Sequence, residues 1–193
     1  MNVKEGEKLV KYARKVIEAK LEDKKIPELK EFKDKLGVFV TLERQGRLRG
    51  CIGFSEPVYQ LNDGIQHAAL SAAFSDPRFL PMKKGEMKDT TIEVSVLTKP
   101  KLLKVKDKKE LPDKIEIGKD GLIVKTIFTS GLLLPQVATE YNWDPEEFLG
   151  QTCTKAGLDF SSWLDPRTEV FKFQSLIFKE QTPNGKVVEK KLD

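Results

Sequence analysis

The sequence predicts an α+β fold built on a largely antiparallel sheet, and three observations carry the prediction. The stretches Thr91 to Leu97 and Val170 to Ser175 alternate apolar and polar residues with period two, as strands do when one face is covered and pairing is antiparallel. Leu9, Val10, Ala13, Val16, Ile17 and Leu21 recur at helical spacing with charges between them. A pattern of strand, glycine-containing turn, strand, proline and helical sequence occurs twice. At 193 residues the chain fits one domain spanning residues 1–193, with two interlocked subdomains whose repeat units cover roughly 35–98 and 115–178.

Taken in order, the first element is an amphipathic helix over residues 5–22, in a region closed by Pro27. Gly37 to Leu42, Gln45-Gly46 and the run from Leu48 then read as a hairpin. Ser55 and Pro57 mark a helix start, with Val58, Leu61, Ile65, Ala68, Ala69 and Ala72 on one face. This helix must stop near Phe74, because Pro77 disfavours α geometry at Asp76. The second copy opens with Gly121 to Thr126, a turn at Ser130-Gly131, and Leu132 to Leu134. A short helix begins near Pro135, and another at Asp144-Pro145-Glu146-Glu147, with an Asp cap, that ends at Gly157. The lysine-rich join from Lys99 to Lys114 reads as a solvated connector.

Composition narrows the function. The chain is 39% hydrophobic and 33% charged, with a net charge of +4, two cysteines and one histidine. These values describe a globular, mildly basic protein whose high Lys and Glu usage resembles that of thermophile proteins. No run approaches the 18 apolar residues of a membrane span, and the N-terminus has no apolar signal core, so a cytoplasmic protein with reduced cysteines and no membrane contact is expected. A lone histidine excludes a multi-histidine metal site, and no zinc spacing, P-loop or dinucleotide fingerprint occurs, so no metal or cofactor is expected.

The densest chemical signal is Leu48-Arg49-Gly50-Cys51-Ile52-Gly53. It brackets a thiol between two glycines, and strand alternation places Arg49 on the side of Cys51. A nearby cation favours thiolate, and glycines permit close approach, so a reactive thiol, an anion cradle and a tightly packed strand end all fit. A Cys–His pair would have to use His67 as its base, which the helical pattern puts opposite the apolar stripe. Asp76-Pro77-Arg78-Phe79 reads as a stiff turn in which Arg78 either grips an anion or satisfies Asp76. Glu93 shares a strand face with Thr91 and Ser95 and either lines a polar cleft or pairs with an arginine. Cys153, Trp143 and Trp163 read as packing residues.

These motifs, with Ala72 to Phe79, Ile92 to Leu97, Gly131 to Ala138 and the segment from Trp143 to Gly157, resemble the AMMECR-one domain, the AMME syndrome candidate protein family, over roughly residues 5–178. The resemblance implies a three-layer α/β/α arrangement with duplicated β-β-β-α-α-β halves. It also implies an association with Memo-like and radical S-adenosylmethionine proteins, and so with protein or RNA modification. The expected function is a binding or accessory module with a cleft around Arg49, Gly50, Cys51, Ile52 and Gly53, lined also by Asp76, Arg78 and Glu93. The alternatives are a thiol-dependent transferase or hydrolase using Cys51 with His67, and nucleic-acid binding through Lys99 to Lys114.

Overall fold

A computed structural model describes residues 1–190. Residues 191–193, which the sequence reading includes in the domain, lie outside the described residues. The chain divides into two compact units, the first made of residues 1–97 and 176–190 and the second of residues 98–175. In chain order the elements are α1 (Val3–Leu21), β1 (Val38–Arg44), β2 (Arg47–Phe54), α2 (Leu61–Phe74), β3 (Thr90–Leu97) and β4 (Lys101–Leu102). They continue with β5 (Asp120–Lys125), β6 (Ser130–Leu133), α3 (Pro135–Glu140), α4 (Pro145–Lys155), β7 (Glu169–Glu180) and β8 (Val187–Lys190). The fold is α+β, and every strand pair with an assigned register is antiparallel.

In the first unit, Asn2 caps α1 through a reciprocal capping box with Glu5. The helix buries Leu9, Val10, Ala13, Val16 and Ile17 in a core shared with α2, β1 and β3. Arg14, which the periodicity leaves among the interspersed charges, is also buried. It forms a two-pronged ion pair with Glu180, Nε to Oε1 at 2.7 Å and Nη2 to Oε2 at 2.6 Å. The same guanidinium donates to the Thr90 carbonyl, and Glu180 accepts the N–H of Ile92, so this buried charge pair is also hydrogen-bonded to the backbone.

Gln45 and Gly46 both take positive φ, as a two-residue hairpin turn between β1 and β2 requires. β1 lies between β2 and β3. Val38, Val40, Leu42, Ile92, Val94 and Val96 face the helices, while Phe39, Thr41, Glu43, Thr91, Glu93 and Ser95 fall on the other face. β8 pairs with the end of β7.

α2 ends at Phe74 as expected but begins at Leu61 rather than beside Pro57. The carbonyls of Asp34 and Phe32 accept the N–H groups of Leu61 and Asn62, so the segment before β1 caps this helix and Ser55 does not. Val58 therefore precedes the helix and is exposed.

In the second unit β5 pairs with both β6 and β7, and β4 pairs with β7. β7 runs on to Glu180, past the alternating run recognised in the sequence. Leu122, Val124, Phe148, Leu149, Cys153, Trp163 and Val170 form a separate core. The β5–β6 turn is made by residues 126–129, where Thr126 Oγ1 accepts the N–H groups of Phe128 and Thr129. Ser130 and Gly131, read as the turn, belong to β6. A Cβ on Gly131 would lie 2.4 Å from the Ala156 nitrogen, so this glycine serves strand–helix packing. The turn leaves Ile127 and Phe128 89% and 90% exposed. The lysine-rich connector is partly ordered by packing: it contains β4, buries Leu111, and packs Leu103 and Val105 on the second core.

Candidate functional site

The Leu48 to Gly53 motif lies on β2. Its glycines are explained by packing. A Cβ on Gly50 would stand 2.1 Å from the Ala72 carbonyl oxygen of α2, and one on Gly53 would stand 2.2 Å from the Val38 carbonyl oxygen of β1. Gly50 and Ile52 thus face the helical layer and Cys51 and Gly53 the opposite face, whereas the register slips between Leu42 and Glu43, so Arg49 stands at a bulge where alternation does not place it. The motif is no free cradle of N–H groups: the N–H of Cys51 donates to Asp76 Oδ2 at 2.9 Å, and its carbonyl accepts from Arg78 Nη2 at 3.3 Å.

Asp76 is held by Arg78 in turn. Its Oδ1 accepts the Arg78 N–H at 3.1 Å and Nε at 3.0 Å, and its Oδ2 accepts Nη2 at 2.8 Å. These bonds, the Arg78 guanidinium first, hold the carboxyl well below the usual carboxylate range. The turn is self-satisfied, yet the Arg78 side chain remains 53% exposed. The same local clasp recurs at Asp165-Pro166-Arg167, where Asp165 accepts the Arg167 N–H at 2.8 Å. The repeated Asp-Pro-Arg tripeptide was the sequence signal for it.

Arg49 turns toward Glu86, donating from Nε at 2.8 Å and Nη2 at 3.3 Å, and from Nη2 also to the Leu80 carbonyl at 2.8 Å. Glu86 accepts further from Arg44 and from the N–H of Lys83. Arg49 foremost among them keeps the Glu86 carboxyl below its ordinary range. Arg49 Nη1 is buried with no hydrogen-bond partner. Arg49 and Arg78 both sit over the Phe79 ring, with guanidinium carbons 5.7 and 5.6 Å from its centroid. Together with Arg44, Leu80, Pro81, Lys83 and Glu86 they line an open cleft of about 490 Å³. The fold therefore brings Arg49 and Arg78 to one cleft. Arg44, Lys83 and Glu86, which carry much of its charge, were not singled out by their sequence pattern, because they come from a strand end and a 3₁₀ turn whose proximity is tertiary.

On the sheet face away from the helices, Cys51, Thr41 and Glu93 stand in one cross-strand row, since Thr41 is in register with both others. Thr41 Oγ1 donates to Cys51 Sγ at 3.2 Å. Glu93 is 12% exposed, burial pushes its carboxyl up, and its Oε2 has no hydrogen bond, with Lys190 Nζ at 3.7 Å. Its charged neighbours are Lys190, Lys179 and Glu43. His67 is elsewhere: it is exposed on α2 and its ring packs on Tyr59 at 4.7 Å. The sheet separates it from the Cys51 thiol, so the expected Cys51–His67 pair does not form. Cys153 is fully buried, and burial pushes its thiol up to about 11. No cluster of three or more His, Cys, Asp or Glu suited to a metal occurs among the described residues.

A family model for AMMECR1 matches residues 10–178. The chain belongs to the AMMECR1 family. Archaeal relatives share about half its residues: a protein of Methanothermobacter thermautotrophicus is 51% identical over 181 residues, covering 91% of this chain and 94% of its own length. Protein MJ0810 of Methanocaldococcus jannaschii is 47% identical, covering 100% of this chain and 98% of its own. The crystal structure of protein PH0010 from Pyrococcus horikoshii matches with a TM-score of 0.83 at 47% identity, covering 100% of this chain and 99% of that one. The α+β architecture is thus shared with a solved relative. No helix among the described residues is long and apolar enough to cross a membrane.

Proposed function

We propose that this AMMECR1 protein is a binding or accessory module whose ligand or partner places an anionic group in the cleft of Arg44, Arg49, Arg78 and Lys83. The observation that carries the reading is the convergence of Arg49 and Arg78 on the Phe79 ring, with one Arg49 nitrogen buried and unpartnered. Glu86 and Asp76 orient the two guanidiniums without using all their donors. A planar guanidinium fork suits carboxylate or phosphate. The link to a protein- or RNA-modification system, with a Memo-like or radical S-adenosylmethionine partner, rests on the family resemblance; an acidic group of such a partner would occupy this cleft.

Calorimetric titration with pyrophosphate and with a tetraglutamate peptide tests the reading. Saturable binding that weakens at least tenfold in Arg78→Ala supports it. Absence of binding for both probes at low ionic strength overturns it.

The second reading is a thiol-dependent transferase or hydrolase at Cys51. It is favoured by the hydroxyl of Thr41 on the thiol and by the buried Glu93 carboxyl in the same row. In this reading Glu93 rather than His67 is the titratable group nearer the thiol's face of the sheet. Turnover of a thioester or activated ester that is lost in Cys51→Ser tests it.

A further inference from the structure

The second unit carries a groove that shares no residue with the arginine cleft. Val105 to Lys109 form one wall, and Leu164 with Pro166 the other, around a volume of about 600 Å³. Both walls are turns fixed by their own aspartates. Asp107 Oδ1 accepts the Lys109 N–H at 3.0 Å and starts the 3₁₀ turn Lys108–Glu110. Asp165 does the same for Arg167, just after a second 3₁₀ turn, Phe160–Leu164. Lys108 Nζ donates to the Thr168 carbonyl, which ties the first wall to the chain that follows the second. The groove is thus formed before any ligand arrives, which spares the ordering cost of binding.

Charge and surface together select an occupant. Three lysines and one aspartate among the lining residues leave two positive charges, and Glu110, on the same turn, does not line the groove. The partner of Lys108 is a neutral carbonyl, and the neighbouring Asp165 is matched by Arg167, so neither removes the excess. The side chains of Lys106 and Lys109 are exposed and make no hydrogen bond or ion pair among the described residues. The rest of the lining is apolar: Pro166, Val105, which packs on the second core, and Leu164, which is 39% exposed. Among the described residues no aromatic ring lines the groove, and the ring of Phe160 lies against Gly150 of α4. Nucleic-acid bases therefore find no stacking platform here. Lysines are flexible point charges that suit separate carboxylates, and an aliphatic surface suits an aliphatic side chain.

We propose that this groove docks an extended acidic segment of a partner protein, in which an aliphatic residue stands between acidic ones. The aliphatic side chain covers Leu164 and Pro166, and the flanking carboxylates pair with Lys106 and Lys109. Such a surface is additional to the anionic group read for the arginine cleft and does not depend on it.

The test is an amide NMR titration of the full chain at low ionic strength with three probes: acetyl-Glu-Glu-Leu-Glu-Glu-amide, the same peptide with Ser in place of Leu, and octauridylate. The expected result is saturable shifts at residues 105–109 and 164–168, with affinity about tenfold weaker for the Ser peptide, as the loss of one buried aliphatic side chain requires. Lys106→Glu should abolish these shifts by turning an attraction into a repulsion. Its exposed side chain holds nothing among the described residues, so the variant keeps its fold. Shifts at residues 44, 49 and 78–86 should be untouched by Lys106→Glu, so failure of this groove and failure of the arginine cleft are read separately. Equal affinities for the two peptides would mean diffuse surface charge and would overturn the proposal. So would octauridylate binding the same residues more tightly than the Leu peptide, or shifts that never saturate.

Discussion

Asp76 accepts the backbone N–H of Cys51 at 2.9 Å, joining the turn after α2 to β2, a strand with β1 on one side. With Arg78 on the Cys51 carbonyl, the two side chains imitate the hydrogen bonds of a neighbouring strand. They blunt an open sheet edge and hold Arg78 beside Arg49.

Asp76→Ala should destabilise the protein by about 1–3 kcal/mol, because it leaves the part-buried Cys51 N–H without its acceptor, read from urea unfolding at pH 7. The folded carboxyl is depressed, so its contribution is complete above the unfolded value of about 3.9 and is lost as pH falls toward the folded one. The gap between variant and parent should therefore narrow below about pH 4.

Glu93 has the opposite sign. Burial raises its carboxyl, so the folded state holds its proton more tightly than the unfolded chain and stability falls as pH rises above about 4.3. Glu93→Gln should be more stable than the parent at pH 7 and indistinguishable from it at pH 4. A parent that remains the more stable at pH 7 would contradict this.

Gly50→Ala should cost about 1–3 kcal/mol by forcing β2 away from the Ala72 carbonyl. Thermal unfolding measures it. Gly85→Ala, where an added Cβ meets nothing within 4 Å, serves as the control.

Breaking the buried ion pair with Glu180→Ala should cost about 3–5 kcal/mol, because the buried Arg14 would keep only the longer contact to the part-exposed Glu18 as a counter-charge. Chemical denaturation of the variant against Glu189→Ala, at an exposed carboxylate, checks the magnitude.

Alkylation of the folded protein should modify Cys51 and spare Cys153, whose thiol is buried and pushed up to about 11. Thr41→Val should slow the reaction at Cys51 by removing the hydroxyl on its sulfur, and His67→Ala should leave the rate unchanged. Mass spectrometry of quenched time points distinguishes the two thiols.

Legibility followed the range of the interactions involved. The Asp144 cap of α4, the left-handed Gly157 after it and the Gln45-Gly46 hairpin turn depend on neighbours in the chain, and each was readable. The start of α2 was not, because carbonyls from Phe32 and Asp34 cap it from a distant segment. The turn at Ser130-Gly131 was misplaced by residues that pattern as turn-formers but are needed in β6 for close approach to Ala156.

The sequence by itself determined the antiparallel α+β class, the position of the Arg49 to Gly53 motif on a strand, and the core role of Cys153, since periodicity and local backbone chemistry encode these. Only the tertiary structure decided that Gly50 serves packing, that His67 and Cys51 lie on opposite sides of a sheet, and that Arg44 and Glu86 join Arg49 and Arg78 in one cleft. Those outcomes depend on which distant segments meet, and the pattern of residues along a strand or helix carries its own period but not its partner's address.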